Sequence, residues 1–238
     1  MADRRIDGRA GPSTPGRLRR ASIDPAPELL DRRFGKSRWS KFALDLPVKG
    51  FPPWVARPEH SPYGRSFSYC TAGVVLLGTT LERVTGQSVE RFAAEHLFDP
   101  LDIRGEEWSR TGEGTAMTGG GLLLTARQLA KLGQLSLDQG RYAGSQVVPA
   151  DWIARSTRPH VEVDEETDYG YLWWLKTLHS KGIGHPSHYM SGMGGNRVAV
   201  FPDLDLVAVV TSQNFGDREA HPLTEALLAD RVLPMFGS

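Results

Sequence analysis

The spacing of apolar residues changes along this chain, and that change limits the folds available to it. In several segments between Trp39 and Leu135, separated by loops, apolar residues recur at the three- and four-residue spacing of amphipathic helices. After Tyr169 they stand in short runs rich in Val, Leu and aromatic residues, which are typical of β-strands. This order predicts an α+β fold, an α/β sandwich in which an antiparallel sheet is flanked by helices.

Local signals place three helices in the middle of the chain. The first begins just after Tyr69 and ends at Gly86, a residue suited to a left-handed helix cap. Its apolar stripe, expected to face the core, consists of Val74, Leu77, Leu81 and Val84. A second helix is predicted over 88–97. Thr125 followed by Gln128 is a capping-box signature that opens the third helix.

The last third of the chain predicts three strands, at 169–175, 198–201 and 206–211, the last two joined by a tight turn. Residues 206–210 are continuously apolar, which predicts a strand covered on both faces. A helix beginning at Pro222 would cover one of those faces. The intervening histidine-containing stretch, 179–188, is expected to be a flexible loop because Gly and Pro interrupt it.

The N-terminal segment differs from the rest in composition. Residues 1–27 are dominated by Arg, Gly, Pro, Ser and Asp, so we expect a disordered basic tail before a domain at 28–238. A nucleic-acid-binding arm is the alternative, but acidic residues are interleaved and stacking aromatic residues are absent. A short helix over 39–46 and a proline-rich loop over 50–64 follow.

The charge balance limits the classes of partner that the chain can attract, and the cysteine content limits its disulfides. The 28 basic and 28 acidic residues cancel, so no overall field attracts nucleic acid or anionic lipid, and a small-molecule substrate fits better. The single cysteine, Cys70, excludes an internal disulfide.

Because the N-terminus lacks the apolar run of a signal peptide, the chain as written is expected to be cytoplasmic, although a full-length parent could be exported. No apolar run is long enough to span a bilayer, and the oligomeric state stays open.

Residues 67–86 carry the first chemically informative pattern, with Tyr69 at the head of a helix that contains Leu-Gly and ends in Val-Thr-Gly. This block resembles the Tyr-x-Asn element of class C β-lactamases, penicillin-binding proteins and related esterases. The resemblance implies that Tyr69 handles protons near a nucleophile, since a phenol can accept or donate one. Thr71 stands where the family has Asn, so it would contact substrate through a hydroxyl in place of an amide.

A second pattern, at 189–198, is similar to the family's Lys-Thr-Gly strand in a variant that has lost its lysine. Met190 takes the place of the cation, Ser191 that of the hydroxyl, and Gly192 that of the glycine. The glycine would let substrate approach the backbone, and the Met193 N–H would be an oxyanion donor. The rival sequence at 176–178 ends in Leu, whose side chain would block that approach.

The family's nucleophile motif, Ser-x-x-Lys, does not occur in the 238 residues, because none of the six lysines has a serine three positions earlier. The resemblance covers about 39–236, so we expect a family domain incomplete at its N-terminus. It would hydrolyse a small ester or amide through an acyl-serine when complete, but would be inactive alone. The alternatives are a ligand-binding pseudoenzyme and a truncated gene product without its own function.

No cofactor is implied by these patterns. The alternative interpretation of the histidine-containing stretch is a metal site at His179, His185 and His188, but the spacing of these histidines matches no standard ligand pattern. We therefore expect no metal.

Overall fold

The computed structural model describes residues 21–22, 44–45, 67–112 and 114–236 of the chain. The helices are α1 (Thr71–Thr85), α2 (Val89–Ala93), α3 (Ala126–Leu137), α4 (Ala150–Ser156) and α5 (Ala220–Leu227). Helices α2 and α5 each continue into a wider π-helical turn, at Ala94–Phe98 and Leu228–Val232, and a 3₁₀ turn at Leu233–Met235 follows. The result is an α+β fold of helices packed on antiparallel strands, as the sequence predicts.

Six strands form the main antiparallel sheet, in the order β11-β10-β9-β8-β7-β6. They are β6 (Val161–Asp164), β7 (Thr167–Tyr169), β8 (Trp174–Ser180), β9 (Ile183–Gly192), β10 (Asn196–Phe201) and β11 (Leu206–Val210). Each strand pairs with its neighbour in sequence, so only short turns are needed between them.

Five shorter strands lie outside this sheet. They are β1 (Ala21–Ser22), β2 (Glu107–Trp108), β3 (Leu122–Leu124), β4 (Arg141–Tyr142) and β5 (Ser145–Gln146). Strand β3 lies between β1 and β2, and β4 pairs with β5. Strand β1 falls within the segment expected to be disordered; the rest of that segment lies outside the described residues.

Helices cover the two faces of the main sheet. Helix α3 packs on β10 and β11 through a buried apolar cluster that includes Leu129, Leu135 and Val198. On the opposite face, Phe201 and the turns that follow α5 form a second cluster with Leu228 and Leu233. Strand β11 contributes Val207 and Val209 to the first cluster and Leu206, Ala208 and Val210 to the second, which confirms that the strand is covered on both faces.

The predicted helix after Tyr69 is confirmed, but its buried face was assigned wrongly. Helix α1 ends at Gly86, which has the expected left-handed conformation with φ 71°. Its buried residues are Ala72, Val75 and Gly78, whereas Leu77 and Val84 of the predicted stripe are exposed. One reason is a close approach: a Cβ atom on Gly78 would lie 2.5 Å from Thr118 Oγ1, so the loop at Thr118 covers this side of the helix and leaves no room for a side chain at position 78.

Two predictions in the last third are corrected. Residues 169–175 are not one strand, because β7 ends at Tyr169 and β8 begins at Trp174. The chain bends between them at Leu172, which has φ 65°, and Gly170 packs closely on another segment: a Cβ atom on it would lie 2.2 Å from the Ser156 carbonyl oxygen. The expected loop at 179–188 is instead part of the β8–β9 hairpin, in which Gly184 pairs with His179 and Pro186 with Thr177.

Two other sequence-based predictions fall on residues that are mostly not described. The helix expected over 39–46 is represented by Leu44 and Asp45, which are helical, and the loop expected over 50–64 lies outside the described residues. Among the described residues, no helix has the length and apolar content needed to cross a membrane.

Candidate active site

Tyr69 lies two residues before the first residue of α1 and is 52% exposed. The helix begins at Thr71 after Cys70, which has an extended backbone with φ −136°. The Tyr69 ring lies over Trp174, the first residue of β8, with ring centroids 5.7 Å apart and planes at 27°. The sheet therefore fixes where this phenol lies.

The sheet register connects Tyr69 to the second predicted element. Trp174 is the Cα partner of Tyr189 on β9, and the two rings stack with centroids 6.4 Å apart. Ser191 follows two residues later on the same strand, so its side chain lies on the same face as Tyr189, roughly 7 Å further along. Tyr69 and the Ser191–Gly192 segment thus lie at the same end of the sheet.

The turn after Gly192 is held in place by buried hydrogen bonds. The Asn196 side chain donates to the Met193 carbonyl oxygen at 2.7 Å and to the Ser212 carbonyl oxygen at 3.0 Å, and it accepts from the Ser212 N–H at 3.0 Å. Thr224 of α5 donates to the Gly195 carbonyl oxygen at 2.7 Å. The backbone of this turn is therefore fixed from two sides, while the Met193 side chain remains 42% exposed.

Thr71 and Met190, the two positions that depart from the family pattern, are both partly buried. Thr71 is partly buried beside Gly119: a Cβ atom on that glycine would lie 2.5 Å from the Thr71 methyl group. Met190 packs against the apolar cluster beneath α3, on the opposite face from Tyr189 and Ser191. Position 190 thus places its side chain in the core.

A charged network missed by the sequence analysis lies next to Ser191. Arg197 of β10 is the Cα partner of Ser191 and is 4% exposed. Both its terminal nitrogens donate to Glu225 Oε1 at 3.1 Å. Lys176 Nζ lies 3.1 Å from Glu225 Oε2 and 3.1 Å from Glu166. Because α5 and β10 are far apart in sequence, no local pattern predicted these pairs.

Two tyrosines near Tyr69 keep their protons at neutral pH. Burial, and to a smaller extent the charge of an ionised Tyr69, raises the pKa of Tyr169 to about 12. Burial also raises the pKa of Tyr189, partly offset by the Arg197 charge. At Lys176, burial lowers the pKa, but the hydrogen bonds that its ammonium group donates to Glu166 and Glu225, together with their charges, outweigh it, so the net shift is upward.

Two of the three histidines considered as metal ligands, His185 and His188, have separate protein partners. His185 Nδ1 lies 2.7 Å from the Asp203 carboxylate at the β10–β11 turn. His188 Nε2 lies 2.8 Å from Ser136 Oγ of α3, inside the protein, and burial lowers the pKa of His188 to about 4. In the described part of the chain, no three His, Cys, Asp or Glu side chains are grouped so as to hold a metal ion.

Comparison with known proteins places the fold. The chain is 29% identical over 181 residues to the 6-aminohexanoate-dimer hydrolase of Paenarthrobacter ureafaciens, covering 69% of this chain and 44% of that protein. It is similar in structure to a penicillin-binding protein from Bacillus halodurans (TM-score 0.57, 22% identity, covering 88% of this chain and 70% of that one). An octameric penicillin-binding protein homologue from Pyrococcus abyssi also matches (TM-score 0.53, 21% identity, covering 73% and 44%).

The chain spans about half the length of the curated relatives that it matches. The family model described as Beta-lactamase matches residues 55–232, which contain Tyr69, the main sheet and nearly all of the helices. The chain therefore belongs to the Beta-lactamase family of hydrolases.

Proposed function

We propose that this chain supplies the proton-handling tyrosine and the oxyanion-side strand of an acyl-serine hydrolase that acts on a small ester or amide. Tyr69 would exchange a proton with the attacking hydroxyl or the leaving group. Ser191 and the Met193 N–H would contact the substrate oxygen, with Gly192 allowing close approach. Thr71 would contact the substrate through its hydroxyl.

The stacking of Tyr69 on Trp174 is the observation that carries this proposal. It brings the phenol to the end of the sheet where Ser191 and Gly192 lie, although about 120 residues of sequence separate them. A tyrosine that served only to fill the core would be buried, whereas Tyr69 is half exposed. The fixed turn at Met193 adds a backbone held ready for a substrate oxygen.

The 238 residues contain no Ser-x-x-Lys, so we expect no turnover from this chain alone. The purified chain should show no stoichiometric labelling by a fluorophosphonate or a labelled penicillin, with a serine hydrolase of known reactivity as the positive control. Labelling of one serine in this chain, lost on denaturation, would contradict this part of the proposal. An in-frame Ser-x-x-Lys in the coding sequence upstream of Met1 would support it.

A ligand-binding pseudoenzyme is the second candidate, and the setting of Met190 favours it. That side chain packs into the core, so position 190 presents no cation to a substrate carboxylate. A binding protein of this kind would be stabilised by uncharged esters or amides without consuming them. A melting scan against a matched panel of neutral esters and their carboxylic acids tests this; an unchanged Tm with every compound would contradict it.

A further inference from the structure

Three aromatic rings and one buried cation form a continuous stack that ends at Tyr69. The guanidinium carbon of Arg197 lies 4.2 Å from the centre of the Tyr189 ring. Tyr189 stacks on Trp174 at 6.4 Å with planes at 15°, and Trp174 stacks on Tyr69 at 5.7 Å with planes at 27°. These separations fall in the range in which aromatic pairs and cation–ring pairs attract each other.

The buried end of this stack is fixed by charge. Glu225 accepts from Arg197 through Oε1 and lies beside Lys176 through Oε2, so both carboxylate oxygens are engaged. The Arg197 side chain is 3% exposed, and a cation held away from water by a carboxylate has little freedom to move. Arg197 therefore presents a stationary face to the Tyr189 ring.

Trp174, the middle ring of the stack, also contacts two aromatic rings that lie outside the stack. The Tyr169 ring meets it edge-on, with centroids 5.0 Å apart and planes at 80°. Phe67 meets it at 5.7 Å and 68° and also contacts Tyr169 at 5.1 Å. A tryptophan stacked on one axis and packed edge-on along another has few rotamers open to it, and Tyr69, which is half exposed, stacks on this platform.

We propose that Trp174 is a positioning residue for Tyr69, and that Tyr189 and Arg197 act through Trp174. The inference rests on the proposed role of Tyr69, because an oriented phenol is useful only if its oxygen must meet a reacting group. Holding a functional side chain on packed rings that belong to a sheet preserves its geometry better than a loop could. Arg197, separated from Tyr69 by two rings, contributes by fixing the stack.

The test is a spectroscopic signature of the stack in the 238-residue chain. The protein is labelled with 3-fluorotyrosine, which gives six ¹⁹F sites, and Tyr69→Phe identifies the Tyr69 signal. In the wild type, this signal should carry a ring-current shift from Trp174. Trp174→Leu should remove most of that shift. The Tyr171 signal is the internal control, since Tyr171 stacks on His160 at 4.0 Å in a separate cluster.

An unchanged Tyr69 signal in Trp174→Leu would overturn the proposal. If Trp174→Leu shifts the Tyr171 signal as well, Trp174→Phe is measured in its place, because it keeps an aromatic ring at position 174. In Trp174→Phe, a Tyr69 chemical shift between those of the wild type and the denatured chain supports the positioning role. A Tyr69 chemical shift equal to that of the denatured chain, with the Tyr171 signal unchanged, contradicts the positioning role.

The contribution of the Arg197 cation is tested by a matched pair of variants at this position. Arg197→Lys keeps a cation near Tyr189 and Glu225 and should leave the Tyr69 signal close to that of the wild type. Arg197→Met removes the charge while Glu225 keeps Lys176 as its partner, and should broaden or move the Tyr69 signal. Equal spectra for the two variants would overturn the role of Arg197. None of these readouts requires turnover or a nucleophilic serine, so they can succeed or fail independently of the proposed hydrolase role, which is tested by the search for Ser-x-x-Lys upstream of Met1 and by the labelling experiment.

Discussion

The two faces of the main sheet are stabilised in different ways. The face beneath α3 is apolar, and its buried polar pair, Ser136 with His188, is uncharged at neutral pH. The face beneath α5 combines a second apolar cluster with a network of ions and stacked rings, in which Arg197 and Glu225 are central. Only the second face leads to Tyr69. The comparison indicates that one face mainly supports the fold and the other supports the candidate site.

Removing the central carboxylate should have the largest effect. Glu225→Ala leaves the Arg197 guanidinium buried without its partner, and loss of one member of a buried ion pair costs about 3–5 kcal/mol. We expect urea unfolding to show a decrease in the free energy of unfolding in this range. Glu165→Ala, at an exposed acidic residue nearby, is the control and should change it by less than about 0.5 kcal/mol. Equal effects would show that the ion network is not structurally important.

The α3 face should respond to acid. Burial lowers the pKa of His188 to about 4 from an ordinary value near 6.5, so the unfolded chain takes up this proton first as pH falls. The contribution of this pKa difference to the free energy of unfolding is roughly 3 kcal/mol. It is fully present above about pH 6.5 and is lost as the pH falls toward 4.

The difference in unfolding free energy between pH 7 and pH 4 should be smaller in His188→Gln than in the wild type. The variant is compared with itself at the two pH values, so its own change in packing cancels. An identical pH dependence in both proteins would show that His188 is not the acid-sensitive group on this face.

Close packing of α3 on the sheet predicts a further, smaller effect. A Cβ atom on Gly133 would lie 2.5 Å from a Val207 methyl carbon and 2.9 Å from one of Val198. Gly133→Ala should therefore destabilise the protein by about 1–3 kcal/mol despite the better helix propensity of alanine. Gly73→Ala in α1 is the matched control, because its Cβ meets nothing closer than Cys70 Sγ at 3.8 Å. A lower melting temperature in the control alone would contradict this packing.

The smallest effect is expected at the start of α3. Thr125 accepts a hydrogen bond from the Gln128 N–H, and the Gln128 side chain accepts from the Thr125 N–H at 2.8 Å. Thr125→Ala should cost about 1 kcal/mol by calorimetry. Thr80→Ala, which removes an exposed hydroxyl bonded only within α1, should cost less. A larger loss in the second variant would show that the cap does not stabilise the α3 face.

The accuracy of the sequence-based predictions depends on the range of the interactions. The capping box of α3 was predicted because its two residues lie three positions apart, and the Gly86 cap for a similar reason. The buried side of α1 was predicted wrongly because it is covered by the loop at Thr118, which leaves no room for a side chain at Gly78 and lies about 40 positions away in the sequence. Periodicity identifies a helix, but packing decides which side is covered.

The candidate site shows the same limit. Tyr69 and the Ser191–Met193 segment were identified by family resemblance, and their roles stay predictions. The stack through Trp174 and Tyr189 and the Arg197–Glu225 pair depend on sheet register and on α5, which no spacing in the sequence reveals. Strand alternation could have placed Tyr189 and Ser191 on one face, but only the fold brings Trp174 between Tyr189 and Tyr69.

The position of Cys70 has a practical consequence. It is the one cysteine in the sequence, it is exposed, and it lies between Tyr69 and the first turn of α1. A thiol-reactive fluorophore would therefore attach at one defined point without any engineered residue. A dye placed there would report local opening at the sheet end and would test whether a ligand enters there, without any change to the amino-acid sequence.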